Sequence, residues 1–397
     1  MNETKKPAIR FQGFSDEWKQ SRVGELIEDY TEKTVVQNQY PVLTSSQQQG
    51  IVRQEEYFAD RQVTTNDNVG YFVLPFGYFT YRSRSDTDVF VFNRNNLIDK
   101  GIISYYYPVF APKSCDSNFL LRRLNYGIKK QLSMAAEGTG QKVLAHSKFK
   151  DMVVDVPDEE EQIKIGAIFE YVDSLIAQHQ SKLEKYQAVK VSMLEKLFPK
   201  DGTDVPEIRF KGFSEAWKRR YASEIFTSHT DKGHPELPVL SATQDIGMVI
   251  RDTIGKSVFH DTANEKGYKR VMPGQFVIHL RSFQGGFAHS AIEGITSPAY
   301  TVFGFTEPEK HDDYYWKYVF SSKQFIKRLE TVTYGIRDGR SISYEEFLTL
   351  DFLFPQKKEQ IKISTYLRNL DLLISLRQQE LDKLKSIKKA LLEKMFV

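Results

Sequence analysis

The chain has 397 residues, 40% of them hydrophobic and 27% charged, and its 55 basic and 52 acidic side chains leave a formal charge of +3. That balance suits a folded protein of two or three domains; by itself it is too weak to argue for a polyanionic partner, though it permits one if the basic residues gather on one face. One cysteine, Cys115, excludes an internal disulfide and a cysteine-built zinc site, and no apolar run suits a secretion signal or a membrane span, so a cytoplasmic protein is expected.

From the N-terminus, residues 9–19 read IRFQGFSDEWK, and residues 208–218 read IRFKGFSEAWK. PVLTSSQQQG at 41–50 returns as PVLSATQDIG at 238–247, EQIKI at 161–165 returns at 359–363, and LEKLF at 194–198 returns as LEKMF at 392–396. An offset close to half the chain marks two long units rather than a solenoid of short repeats. The polypeptide is a fused, pseudo-symmetric dimer.

Within each copy the first part carries short β-type runs: YFVLP (71–75) and VFVF (89–92), then QFVIHL (275–280) and YTVFGF (300–305). A helix is predicted over 117–135 and another over 313–331, each after an aspartate suited to capping, Asp116 and Asp312. VVDVP then ends the first head at Pro157, and DFLFP ends the second at Pro355.

Beyond each proline about forty residues run without glycine or proline, apart from Gly166. Apolar positions recur there at alternating steps of three and four: Phe169, Val172, Ile176, His179, Leu183, Tyr186, Lys190, Met193 and Leu197, matched by Leu367, Leu370, Ile374, Arg377, Leu381, Leu384, Lys388, Leu391 and Met395. This is a heptad seam sustained over four heptads, in which polar members set register. His179 stands opposite Arg377 in the alignment, which favours a register role over a ligand or a base. The expected fold is therefore α+β, with two mixed α/β heads, two long antiparallel coiled-coil helices between them, and an internal pseudo-two-fold repeat. The expected boundaries are 1–156 and 200–354 for the heads, and 157–199 and 355–397 for the spacer helices.

Motifs of catalysis are missing or broken. IGKS (254–257) lacks the leading glycine of a phosphate-binding loop, and HPE (234–236) has no accompanying C-x-x-C. PDEEE at 157–161 becomes PQKKE at 355–359, so its acids suit a helix start better than a metal. No cofactor or metal of its own is expected.

The heads diverge where the frame repeats, as a scaffold reading two different things would. Three matched pairs of loops carry side chains able to hydrogen-bond bases or phosphates. The first pair is Thr44, Ser45, Ser46 and Gln47 with Ser241, Thr243 and Gln244; the second is Arg82 and Arg84 with Arg281, Ser282 and Gln284. The third, glycine-bearing and basic, is Thr139, Gln141 and Lys142 with Arg337 and Arg340. On the residues alone, a DNA-modifying enzyme with appended recognition segments and a coiled-coil adaptor binding only protein stay open beside a non-catalytic DNA reader.

The run GTGQKVLAHSKFKDMVVDVPDEEEQIKI from Gly138, the opening FxGFxxxW and the helix ending LEKLF, with the whole order repeated, resemble the specificity subunits of type I restriction–modification systems. The second copy departs from the pattern at IRDGRSIS (336–343). The resemblance implies two target-recognition domains, each reading one half of a split asymmetric site in double-stranded DNA. It also implies two methyltransferase subunits docked on the helices, restriction–translocation subunits around that core, and no catalytic residue in the chain itself. Partner subunits would supply the chemistry of S-adenosylmethionine, ATP and magnesium.

Overall fold

The computed structural model describes residues 6–58, 67–87, 89–200, 202–243, 246–254, 262–279, 286–329 and 343–396. Two compact units result, one made of residues 1–180 with 379–397 and the other of residues 181–378. Each unit thus contains one head, the first part of the helix that follows it, and the last part of the other long helix.

The first unit runs β1 (Lys19–Arg22), α1 (Val23–Leu26), β2 (Ile27–Asp29), β3 (Leu43–Ser46), β4 (Gly50–Arg53), α2 (Gln54–Tyr57), β5 (Phe72–Pro75), β6 (Phe79–Tyr81), β7 (Arg84–Ser85), β8 (Phe92–Arg94), β9 (Lys100–Ile103) and β10 (Val109–Pro112). Then come α3 (Ser117–Asn125), α4 (Lys129–Ala135), β11 (Lys142–Val143), α5 (His146–Lys150), β12 (Val153–Val156) and the long α6 (Glu159–Lys196). An antiparallel sheet in the order β2-β10-β6-β8 forms the centre, flanked by the pairs β1-β12, β3-β4, β5-β9 and β7-β11.

The second head follows the same plan. Its elements are β13 (Lys218–Tyr221), α7 (Ala222–Ile225), β14 (Phe226–His229), β15 (Leu240–Thr243), β16 (Gly247–Ile250), β17 (Lys269–Val271), β18 (Phe276–Ile278), β19 (Phe287–His289), β20 (Gly294–Thr296) and β21 (Thr301–Phe305). They continue with α8 (Asp313–Phe320), α9 (Lys323–Leu329), α10 (Tyr344–Leu348), β22 (Asp351–Phe354) and the long α11 (Lys357–Met395). The central sheet order is β14-β21-β18-β19.

The repeated stretches are the joints of this frame. Trp18, in the opening signature, is buried edge-on against Phe119 of α3 at 5.8 Å and against Phe396 at 5.9 Å. Trp217 holds the same place in the second core, which Leu197 and Phe198 complete. Each such side chain, fully buried, contributes about 1.5–3 kcal/mol of transfer free energy. Arg10 grips the buried Glu161 of EQIKI in a two-pronged pair at 2.8 and 2.6 Å, and Arg209 grips Glu359 at 2.7 and 2.8 Å. The next residue, Gln162, accepts from the Asp116 amide at 3.0 Å and donates to the Pro157 carbonyl at 2.9 Å. Gln360 repeats this with Asp312 and Pro355 at 2.9 and 2.8 Å. The two aspartates cap as expected, accepting from the amides of Phe119 and Tyr315, each at 2.8 Å. Gly166 is required because a Cβ there would stand 2.4 Å from the Asp116 carboxylate that caps α3.

The helix predicted over 117–135 is two helices. Gly127 adopts φ +93°, which ends α3 before α4 begins. The helix predicted over 313–331 is likewise divided, because Ser322 accepts from the Phe325 amide at 3.2 Å and starts α9 anew. Residues 330 and 331 lie outside the described residues.

Every seam position on α6 and α11 is buried or half-buried. In the first unit Asp173 pairs with Lys388 at 2.6 Å and His179 with Glu380 at 3.2 Å, so one helix ascends as the other descends. The second unit holds the equivalent of the first pair, Lys190 with Asp371 at 2.5 Å. His179 thus faces a carboxylate of the other helix, in keeping with a register role. The half-buried thiol of Cys115, just before α3, is pushed up to about 12 by burial, which makes it a poor nucleophile.

Candidate nucleic-acid interface

Three segments far apart in the first head's sequence meet on one surface. The PVL of PVLTSSQQQG fixes the hairpin β3–β4: the Pro41 carbonyl accepts from the Ile102 amide at 2.9 Å, and Leu43 packs over Gly101, where a Cβ would stand 2.2 Å away. Beyond this anchor the hairpin projects Ser45 and the exposed Gln47 and Gln48. The strand β7 carries Arg84 and pairs antiparallel with β11, which sets Val143 opposite Arg84 and Lys142 opposite Ser85. This pairing brings the glycine-bearing loop at 137–143 alongside the two arginines.

Two adjoining concavities of about 420 and 450 Å³ result. Thr44, Phe58, Arg82, Arg84 and Tyr107 line both. Ser45, Ser46, Gln47 and Asn93 complete one, and Tyr71, Tyr105, Tyr106 and Gln141 the other. Seven of the first head's candidates therefore converge: Thr44, Ser45, Ser46, Gln47, Arg82, Arg84 and Gln141. Thr139, exposed on the loop, and the half-buried Lys142 line neither concavity.

The convergent residues are not equivalent. Thr44 and Ser46 are buried; the Ser46 hydroxyl accepts from the amides of Gln48 and Gln49, each at 3.2 Å, and so is committed to the turn. Asn93 donates to the Ser45 hydroxyl and the Ser46 carbonyl, both at 2.8 Å, and ties the hairpin to the central sheet. Asp86 receives the Gln141 amide at 3.0 Å and stands 4.0 Å from Arg82. Arg84 has no carboxylate partner among the described residues; its guanidinium lies over the Tyr106 ring, 4.2 Å from the centroid.

The aromatic floor was not read as part of the site. Tyr105 and Tyr106 are exposed, their rings 4.2 Å apart, and Tyr105 donates to the Tyr106 hydroxyl at 3.1 Å, which keeps the Tyr105 phenol above its ordinary value. Burial raises Tyr107, whose hydroxyl meets that of Thr44. Three consecutive tyrosines in a turn were the available signal. Beneath the surface, Asp29 receives His146 Nε2 at 2.8 Å and Lys150 at 2.7 Å and so fixes α5 after the glycine loop. Burial pulls that carboxyl upward, but the bonds from Lys150 and His146 outweigh it and hold it below the usual range.

The second head repeats the hairpin as β15–β16, with Leu240 over Gly294 and the Pro238 carbonyl accepting from Ile295 at 2.9 Å. Ser241 accepts from Arg251 Nε at 3.3 Å, and Thr243 donates to the Gly247 carbonyl at 2.8 Å. Gln244, Arg281, Ser282, Gln284, Arg337 and Arg340 lie outside the described residues. Among the described residues, no three His, Cys, Asp or Glu side chains gather to hold a metal, and no helix is long and apolar enough to cross a membrane.

The first head thus carries a concave surface of amides, hydroxyls, aromatic faces and a guanidinium without a carboxylate partner among the described residues, on a frame that the second head repeats. Residues 15–185 match the model of the type I restriction modification DNA specificity domain. A solved structure of a type I restriction–modification S subunit from M. genitalium aligns over 99% of this chain and 99% of its own, at 12% identity and a TM-score of 0.61. An HsdS subunit from Thermoanaerobacter tengcongensis aligns over 96% of both chains at 15% identity and a TM-score of 0.43. No curated protein matches the sequence. The family match thus covers the first head and the start of the helix that follows it, while the likeness to the S subunit from M. genitalium extends the fold over the whole chain.

Proposed function

We propose that the chain is the non-catalytic reader of its complex, each head recognising one half of a bipartite, asymmetric site in double-stranded DNA. The observation that carries this reading is the convergence of three dispersed polar loops on one concave face of the first head, with the scaffold beneath them repeated in the second. Groups of this kind suit base edges in the major groove, where all four base pairs differ, and phosphates beside it. The paired helices act as a spacer and dock two methyltransferase subunits, with restriction–translocation subunits joining them. Those partners supply S-adenosylmethionine, ATP and magnesium chemistry, and the assembly works in the cytoplasm.

The test is the chain assembled with its methyltransferase partner and given genomic DNA, followed by methylation-aware sequencing. Adenine methylation at one split motif, with a fixed unread gap, is expected. Methylation at a single contiguous short site would refute the two-reader arrangement, and turnover by the isolated chain with cofactor and magnesium would refute the non-catalytic role.

A further inference from the structure

Within that DNA-reading role, on which this inference rests, we propose that Arg84 is the specificity-determining residue of the first head and reads the guanine of a G·C pair. Three cationic or amide side chains crowd the glycine-loop end of the concavity, and the structure sorts them. Arg82 lies beside Asp86, and Gln141 donates to the same carboxylate at 3.0 Å. Arg84 has no such neighbour among the described residues, and stacks on Tyr106 at 4.2 Å instead.

Stacking fixes the plane of a guanidinium while leaving its N–H edge open. The platform is itself held. Ser83 donates its hydroxyl to the Tyr106 carbonyl at 2.7 Å, and the Leu144 amide donates to the Ser83 carbonyl at 2.8 Å. Residues 83–85 are thus clamped between β11 and the tyrosine turn, with Val143 across from Arg84 in the ladder. A long, flexible cation in solution suits a phosphate, which accepts from many directions. A guanidinium held in one plane suits the O6 and N7 acceptors of guanine, which lie side by side and take two parallel N–H bonds.

The assignment separates Arg84 from its neighbours by experiment. Arg84→Gln, Arg84→Lys and Tyr106→Leu chains, each assembled with the methyltransferase partner, are compared with the unaltered complex for methylation motif and for affinity across a salt series. Arg84→Gln is expected to relax one G·C position in one half-site, with discrimination there falling about tenfold to a hundredfold, and to leave the other half-site unchanged. Arg84→Lys is expected to keep part of that discrimination, because an ammonium reaches O6 and N7 but without the planar fork that makes two parallel bonds. Tyr106→Leu should relax the same position, with the thermal unfolding midpoint unmoved.

An intact motif together with a slope of log affinity against log salt reduced by about one would make Arg84 a phosphate contact. That outcome overturns this assignment and leaves the DNA-reading role standing. An intact motif with unaltered affinity overturns the assignment as well. Failure of the unaltered complex to bind DNA would overturn the role itself.

Discussion

At the scale of single residues, Arg10, Trp18, Glu161 and Gln162 work as joints, and Arg209, Trp217, Glu359 and Gln360 repeat them. Glu161 has no exposed side-chain surface, and Arg10 is its only ion-pair partner among the described residues. Removing one member of a buried pair leaves a charge without compensation and costs about 3–5 kcal/mol. Arg10→Met should therefore lower the free energy of unfolding, measured by urea titration, by an amount in that range. The double change with Glu161→Gln should recover part of the loss, since the buried group is then neutral. Equal stability of Arg10→Met and the unaltered chain would show that the pair holds nothing.

The concavity teaches the opposite lesson about reading residues. Thr44, Ser45, Ser46 and Gln47 look alike as polar loop members, yet Ser46 serves its own turn while Gln47 is exposed. Asn93, some fifty positions later, adds a long-range tie, bonding the Ser45 hydroxyl and the Ser46 carbonyl and pinning the hairpin to the central sheet.

At the scale of elements, the two long helices obey the period written into them. Leu381, on the seam, is 1% exposed, whereas Leu372, off it, is 59% exposed. Leu381→Ala should cost about 2–5 kcal/mol through lost packing and a residual cavity. Leu372→Ala should stay within about 0.5 kcal/mol, as substitutions on an open surface do. Chemical denaturation of the isolated chain measures both, and similar costs at the two sites would contradict the seam. The polar members follow the repeat as well, since Lys190–Asp371 and Lys388–Asp173 are the same pair made twice. Exposed in part, such pairs add little stability, about 0–1 kcal/mol, and their use is to penalise a slipped register.

The head helices were legible as to position and cap but not continuity. Asp116 and Asp312 announce their starts through a short-range hydrogen bond. The break at Gly127 is harder to read, because glycine within a helical pattern is tolerated at modest cost and only its φ of +93° decides the matter.

For the whole molecule, the proposed spacer role makes helix length a quantity that DNA reports. Deleting residues 177–183 together with 375–381 removes one heptad from each helix and about 10 Å of rise. The gap between methylated half-sites should shrink by about three base pairs, at ~34 Å for each turn of DNA. A gap of the original length would rule out the helices as the ruler.

Duplication, the seam period and the capped starts were determined by the sequence alone, because each depends on residues near one another or on a literal copy of them. Which helix end completes which head was not. LEKLF and LEKMF are nearly the same words, and either could serve Trp18 or Trp217 by local fit. The fold gives Phe396 to Trp18, and Leu197 with Phe198 to Trp217. The helix of 38 residues that follows the first head has its last part in the second unit. The meeting of the hairpin, the arginine strand and the glycine loop was likewise decided only in three dimensions, by the pairing of β7 with β11 across more than fifty residues. Long-range pairing of this kind leaves no local signature, so loops of ordinary polar composition become a shared surface only once the sheet has placed them.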